Sequence, residues 1–188
     1  MEAILRKEII TNKELCRIIG VGIFVILTSL GAFVRIPLPF TPVPLTLQTF
    51  FVLLSGALLG ARMGALAQAS YVFLGLSGLP IFTAIGSGLG YLWGPTTGYL
   101  FGFVLASFFL GKTLEYSRNN IWRIFLLFCL ADLMLLACGA IWLKIILGIN
   151  IKTALFIGIL PFIPGDLLKI AIGCGVYKGL KGRAKEIL

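Results

Sequence analysis

The sequence predicts an all-α membrane protein of six transmembrane helices, with the last one broken at Pro161/Pro164 and both termini cytoplasmic. Three observations carry this. First, 59% of the residues are hydrophobic and 12% charged, with a mean hydropathy of +1.06, more apolar sequence than a water-soluble core absorbs. Second, 188 residues at roughly 20 per span leave room for about six helices and their loops. Third, cations are distributed unequally between the two ends of the spans. With the termini inside, 12 lie on the cytoplasmic side: Arg6, Lys7, Lys13, Arg17, Arg62, Lys112, Arg118, Arg123, Lys178, Lys181, Arg183 and Lys185. Only Arg35, Lys144 and Lys152 lie outside, which sets the orientation. The net charge of +9 is therefore read as a topology signal, and no nucleic-acid partner is expected.

Taken in order, residues 1–17 read as an amphipathic cytoplasmic segment. It carries Arg6, Lys7, Lys13 and Arg17 with Glu2, Glu8 and Glu14, and lacks the short apolar core and small-residue cleavage site of a signal peptide. Residues 18–177 form the membrane domain and 178–188 a basic cytoplasmic tail. Apolar runs bounded by charges or Pro/Gly clusters place the spans at 18–34, 45–60, 63–79, 95–110, 121–147 and 154–176. Two outer connections stand apart. Residues 37–44 hold four prolines, which bar a helix and favour a stiff extended loop that caps a site or merely spaces two spans. Residues 77–94 carry no charge but hold Phe82, Thr83, Ser87, Tyr91 and Trp93 among five glycines, a composition suited to a lid or a membrane-dipping segment. Glycines at four-residue spacing, Gly56–Gly60–Gly64 and Gly86 through Gly102 to Ala106, put small residues on one helix face wherever the backbone is helical. Pro95 leaves helicity doubtful for the first half of the longer series.

Catalytic and cofactor chemistry is not expected. The four cysteines, Cys16, Cys129, Cys138 and Cys174, show no C-x-x-C spacing, and there is no histidine, so no metal site is expected. No phosphate-binding loop appears, and Gly86-Ser87-Gly88-Leu89-Gly90-Tyr91 fails the G-x-G-x-x-G spacing. No nucleophile elbow, H-E-x-x-H or close carboxylate pair is present.

Asp166 and Lys169 lie in an otherwise uncharged stretch, where each charge costs about 2.5–3.5 kcal/mol near the bilayer centre. At i and i+3 they share a helix face, as a ligand site or a structural pair. Pro161 and Pro164 break the span just before them, and Pro164 can begin a new helix within the membrane whose N-terminal dipole favours an anion at Asp166. If the charges serve only a ligand, removing either should leave ligand-free stability level or better. Asp132 is a third intramembrane charge; it pairs with Lys169, binds a polar ligand group, or makes a helix contact, and the sequence leaves all three open. Gln48 donates and accepts, so it suits an amide or ureido group or simply sits at the interface.

Three stretches together resemble the BioY family: Ile36-Pro37-Leu38-Pro39-Phe40-Thr41-Pro42-Val43-Pro44-Leu45-Thr46-Leu47-Gln48-Thr49, then Gly94-Pro95-Thr96-Thr97-Gly98-Tyr99-Leu100, then Leu160-Pro161-Phe162-Ile163-Pro164-Gly165-Asp166-Leu167-Leu168-Lys169. The resemblance implies a biotin-specific S component of an energy-coupling factor (ECF) transporter in the prokaryotic cytoplasmic (inner) membrane. It implies partnership with a coupling membrane subunit and two ATPase subunits, no cofactor, and biotin contacts from Asp166 and Lys169. Gly60-Ala61-Arg62 departs from the family's usual Gly-Pro-Arg. On the first helix, Gly20-Val21-Gly22 and Thr28 with Ala32 are the nearest match to the small-residue stripe by which such components dock their coupling subunit. Toward biotin, Asp166 accepts ureido hydrogen bonds, Lys169 donates to the ureido oxygen or the carboxylate, and Gln48 takes the remaining partner. Phe82, Tyr91 and Trp93, with Phe40 from the proline loop, cover the sulfur ring. The rival is a solitary secondary carrier or facilitator for biotin or another small vitamin, driven through Asp166, Lys169 or Asp132, for which no inverted repeat is visible.

Overall fold

The computed structural model describes residues 13–117 and 120–187. Of the expected segment at 1–17, residues 1–12 lie outside the described residues, as do Arg118 and the side chains of Arg183 and Lys185, whereas 13–17 are helical. Helix α1 (Lys13–Phe33) leads into the proline loop, which is closed by a two-residue antiparallel ladder between β1 (Arg35–Ile36) and β2 (Leu45–Thr46). Helix α2 (Gln48–Leu76) follows, then two 3-10 turns at Thr83–Ile85 and Leu89–Trp93, α3 (Thr97–Glu115), α4 (Ile121–Leu147), α5 (Ile151–Gly158) and α6 (Ile163–Ile187). Local chemistry sets several of these ends. Asn120 caps α4 by accepting from the Trp122 amide at 2.9 Å, and α4 stops at Gly148 in the left-handed region. Asn150 caps α5 through the Thr153 amide at 2.8 Å.

By length and composition four helices suffice to cross a bilayer, or five if α5 and α6, bent by 49°, count as one broken span. The longest of them, α2, is not one rod. Gly60 has φ +81° and ψ 178°, outside the helical region. Across it, Gln48 Nε2 donates to the Tyr71 hydroxyl at 2.7 Å and Gln68 Nε2 to Ser55 Oγ at 3.0 Å. Residues 23 and 13 positions apart would be roughly 34 and 20 Å apart along a straight helix. The run is therefore an antiparallel helical hairpin with legs 48–59 and 61–76. That resolves the first glycine series: Gly60 makes the turn, and Gly56 and Gly64 meet across it, where a Cβ on Gly64 would lie 2.7 Å from the Gly56 Cα. It is a turn with two facing legs and not a stripe on one helix.

The second series divides as its proline suggests. Gly86 to Gly94 lies in the irregular segment, whereas Gly98, Gly102 and the fully buried Ala106 let α3 approach α4 at Cys138, Leu135 and Trp142. On α1, Thr28 and Ala32 are fully buried and Gly31 abuts the Gln48 backbone, so these residues face the hairpin. They are not an outward docking stripe; Gly22 is the small residue that faces away, with open space beside it. The main core gathers Tyr71, Phe103, Phe128 and Leu135, with a smaller cluster of Phe24, Leu54 and Ala67 between α1 and α2. Exposed Ile23, Ile26, Leu30, Phe101, Leu105 and Leu133 suit a lipid-facing perimeter.

Gly56 also sits against the Ser107 backbone of α3, with no space for a side chain. Gly56→Ala is expected to destabilise the protein by about 1–3 kcal/mol, because backbone must shift. Gly22→Ala, with nothing within 4 Å, should leave the thermal melt of the solubilised protein unchanged.

Candidate functional site

The break between α5 and α6 is where the charged pair is assembled. Residues 159–162 leave the helical path, Phe162 O accepts the Asp166 amide at 2.8 Å, and α6 restarts at Ile163 with Pro164 its second residue. Asp166 then lies in the first turn and Lys169 one turn later. Lys169 Nζ donates to Asp166 Oδ1 at 2.7 Å, to the Thr46 carbonyl of β2 at 2.7 Å and to Thr49 Oγ1 at 2.9 Å. An ammonium has three donors, so all are engaged. Thr49 Oγ1 passes its own hydrogen to Asp166 Oδ1 at 3.1 Å. Asp166 Oδ2 is left buried without a hydrogen-bond partner, although the carboxyl side chain is only 3% exposed.

Asp166 and Lys169 belong to the wall of a cavity framed by the proline loop (Val43, Pro44), the first leg of α2 (Gln48, Thr49), Tyr71, α3 (Tyr99, Phe103) and Phe162 of the break. Gln48 is 3% exposed and sits in a relay: Thr46 Oγ1 donates to its Oε1 at 3.3 Å, its Nε2 donates to Tyr71, and the Tyr71 hydroxyl donates to the Ile81 carbonyl at 3.0 Å. Tyr99 donates to the Gly158 carbonyl at 2.8 Å, tying α3 to the end of α5. The free space is only about 40 Å³, room for a few waters. An outer vestibule of about 300 Å³ shares Pro44, Thr83, Tyr91 and Thr96 with the cavity and has Arg35 on its rim. Those four residues are the partition between the two spaces.

Tyr91 comes from the glycine-rich connection, and its hydroxyl bonds Thr83 at 2.6 Å and Thr96 at 2.9 Å. Ala84 and Ile85, next to Thr83, both have φ +61°, a strained value for non-glycine residues and above all for a β-branched one.

Of the residues singled out from sequence, Asp166, Lys169, Gln48 and Tyr91 line this cavity. Three aromatic residues do not. Phe82 is fully buried behind the wall, its ring 4.6 Å from Tyr91 and 5.5 Å from Tyr71, so it props two lining tyrosines. Trp93 is 76% and Phe40 56% exposed, on the outer surface of their loops. Asp132 is 5% exposed, feels the charges of Asp166 and Lys169, and lies off the cavity wall with Oδ1 unpartnered. Among the described residues it makes no ion pair with Lys169. Sequence reasoning missed Thr49, Tyr71, Tyr99 and Phe162. Thr49, Tyr99 and Phe162 lie inside the three family-like stretches, while Tyr71 is one polar ring in an apolar span.

A family model described as the BioY family matches residues 6–186. The biotin transporter BioY of Thermotoga maritima is 39% identical over 165 residues, covering 88% of this chain and 95% of that protein. The probable biotin transporter BioY of Pyrococcus horikoshii is 38% identical over 162 residues, covering 86% and 94%. A crystal structure described as the S-component for biotin from an ECF-type ABC transporter superposes with a TM-score of 0.86 at 26% identity, covering 91% of this chain and 93% of that one.

Proposed function

The chain belongs to the BioY family, and we propose that it captures biotin at the outer face of a prokaryotic cytoplasmic membrane as the S component of an ECF transporter. Relatives described as biotin transporters and the likeness to a biotin S-component support the ligand and the assembly. A coupling subunit and two ATPase subunits supply the energy, and this chain itself performs no catalysis and needs no cofactor. Six crossings, counting the hairpin legs separately and α5–α6 as one broken span, put both termini inside, in keeping with 12 cations against three. Cysteines introduced at Thr41 and Ser87 should then label with an impermeant thiol reagent in intact cells; labelling only after permeabilisation inverts the topology.

The observation that carries the ligand reading is Asp166, a residue of the cavity wall whose Oδ2 is buried with nothing to accept. Leaving such an oxygen unsatisfied costs energy that a ligand N–H recovers. Biotin's ureido group brings two donors, whereas its carboxylate would repel Asp166. The ureido end therefore enters first, the sulfur ring lies among Tyr71, Tyr91, Tyr99 and Phe103, and the carboxylate points to the vestibule and Arg35. Lys169, its three hydrogens engaged, acts by holding Asp166 in place. The 77–96 segment swings to admit the vitamin, since about 40 Å³ does not hold it.

The test is a titration of the purified chain with biotin, riboflavin, thiamine and pantothenate. Biotin alone should bind tightly, and Arg35→Ala should weaken biotin more than its uncharged amide. Accumulation of biotin against a gradient by proteoliposomes holding this chain alone, under a proton-motive force, would favour the solitary-carrier rival.

A further inference from the structure

At the end of the bundle away from the cavity, a hollow of about 730 Å³ opens around the tip of the α2 hairpin. Its origin is a mismatch of lengths. The legs of 12 and 16 residues reach roughly 18 and 24 Å, against a hydrocarbon thickness of about 30 Å. The tip packs on α3 at Gly111, where a side chain would overlap the Gly60–Ala61 backbone. Beyond that level α3 continues to Glu115, α1 extends from Arg17 back to Lys13, and α6 runs on past Lys181. Longer neighbours thus surround a recessed turn, and Gly60 at its floor has open space where a side chain would be.

Arg17, Arg62, Lys112 and Lys181 line the hollow, with Glu115 the one acidic residue on its wall. Two of the cations are already neutralised: Arg17 pairs with Glu14 at 2.8 Å and Lys112 with Glu115 at 3.3 Å. Among the described residues, Arg62 has no ion pair, and Lys181 has only the Tyr177 ring, 5.5 Å from its ammonium. The remaining wall is apolar, from Leu58, Phe108 and Leu114. The exposed Arg62 and the half-buried Lys181 thus share the wall of one hollow, and among the described residues neither has a carboxylate partner. Arginine's planar fork suits a phosphate.

We propose that the hollow is a binding site for the phosphate of an anionic glycerophospholipid, held by Arg62 and Lys181 with its acyl chains along the apolar wall. The site depends on the membrane setting and not on the vitamin.

The full chain in phosphatidylcholine nanodiscs, titrated with spin-labelled phosphatidylglycerol, tests this. The wild type should prefer phosphatidylglycerol to labelled phosphatidylcholine, and Arg62→Ala should reduce that preference roughly fivefold, with a further loss on adding Lys181→Ala. Arg62→Lys, which keeps the charge but not the fork, should keep only part of it, Lys152→Ala should change nothing, and biotin affinity should be unaffected throughout, which separates this site from the vitamin reading. An unchanged preference in the double variant would overturn the proposal. Displacement by inorganic phosphate would make it a free-anion site instead. Loss of coupling-subunit capture in Arg62→Ala with lipid preference intact would assign the hollow to that subunit.

Discussion

Lys169→Ala is expected to destabilise the ligand-free protein by about 3–5 kcal/mol, because it strands the Asp166 carboxylate where the side chain is 3% exposed. Sequence alone suggested the opposite: fewer charges in the membrane, hence equal or better stability. The network reverses that expectation. Lys169 pairs Asp166, and it also satisfies the Thr46 carbonyl and Thr49 Oγ1, joining α6 to β2 and the start of α2. Its loss unties three elements at once. Replacing both charges, Asp166→Leu with Lys169→Met, should recover much of the stability, since well-packed apolar residues often equal a buried ion pair. The double variant should nevertheless bind no biotin. Thermal unfolding of the solubilised protein with and without biotin measures both effects; a Lys169→Ala protein as stable as wild type would mean that the pair is open to water and the network is not structural.

Asp166→Asn should weaken biotin by about 1.5–3 kcal/mol, roughly tenfold to a hundred-and-fiftyfold. Asparagine keeps the size and can still offer its carbonyl oxygen to Lys169 and Thr49. It then puts an NH₂ at the Oδ2 position, so that donor meets donor where the ureido group is proposed to sit. The substitution therefore tests the free oxygen and not merely the charge. Isothermal titration with biotin reads the change directly. Wild-type affinity in this variant would show that Oδ2 does not meet the ligand, and the vitamin would have to lie nearer Gln48 and Tyr71.

The site was partly legible before any coordinates. An uncharged stretch interrupted by Pro161, Pro164, Asp166 and Lys169 signals a broken span with a polar task, because each of those residues carries a penalty in lipid that apolar alternatives avoid. The same logic picked out Gln48. Aromatic residues gave poorer guidance, since an aromatic side chain is compatible with a cavity wall, a buried core or a bilayer interface. Tyr91 lines the cavity, Phe82 stands behind it, and Trp93 and Phe40 face outward; composition does not distinguish these positions.

By itself the sequence determined where the chain prefers lipid to water, where its helices must break, and which charges require explanation. All of these follow from local hydropathy and backbone chemistry, and so can be read within windows of a few turns. Tertiary structure decided three other matters. It showed that residues 48–76 fold back at Gly60, which depends on a φ of +81° and on Gly56 and Gly64 meeting across the turn. It showed that Lys169 has committed its donors to partners as far as 123 positions away, while one oxygen of Asp166 stays unclaimed. And it showed which side of α1 faces the protein. Each depends on which surfaces meet once the helices pack, and hydrogen-bond partners more than a hundred residues apart leave no trace in the hydropathy of either segment.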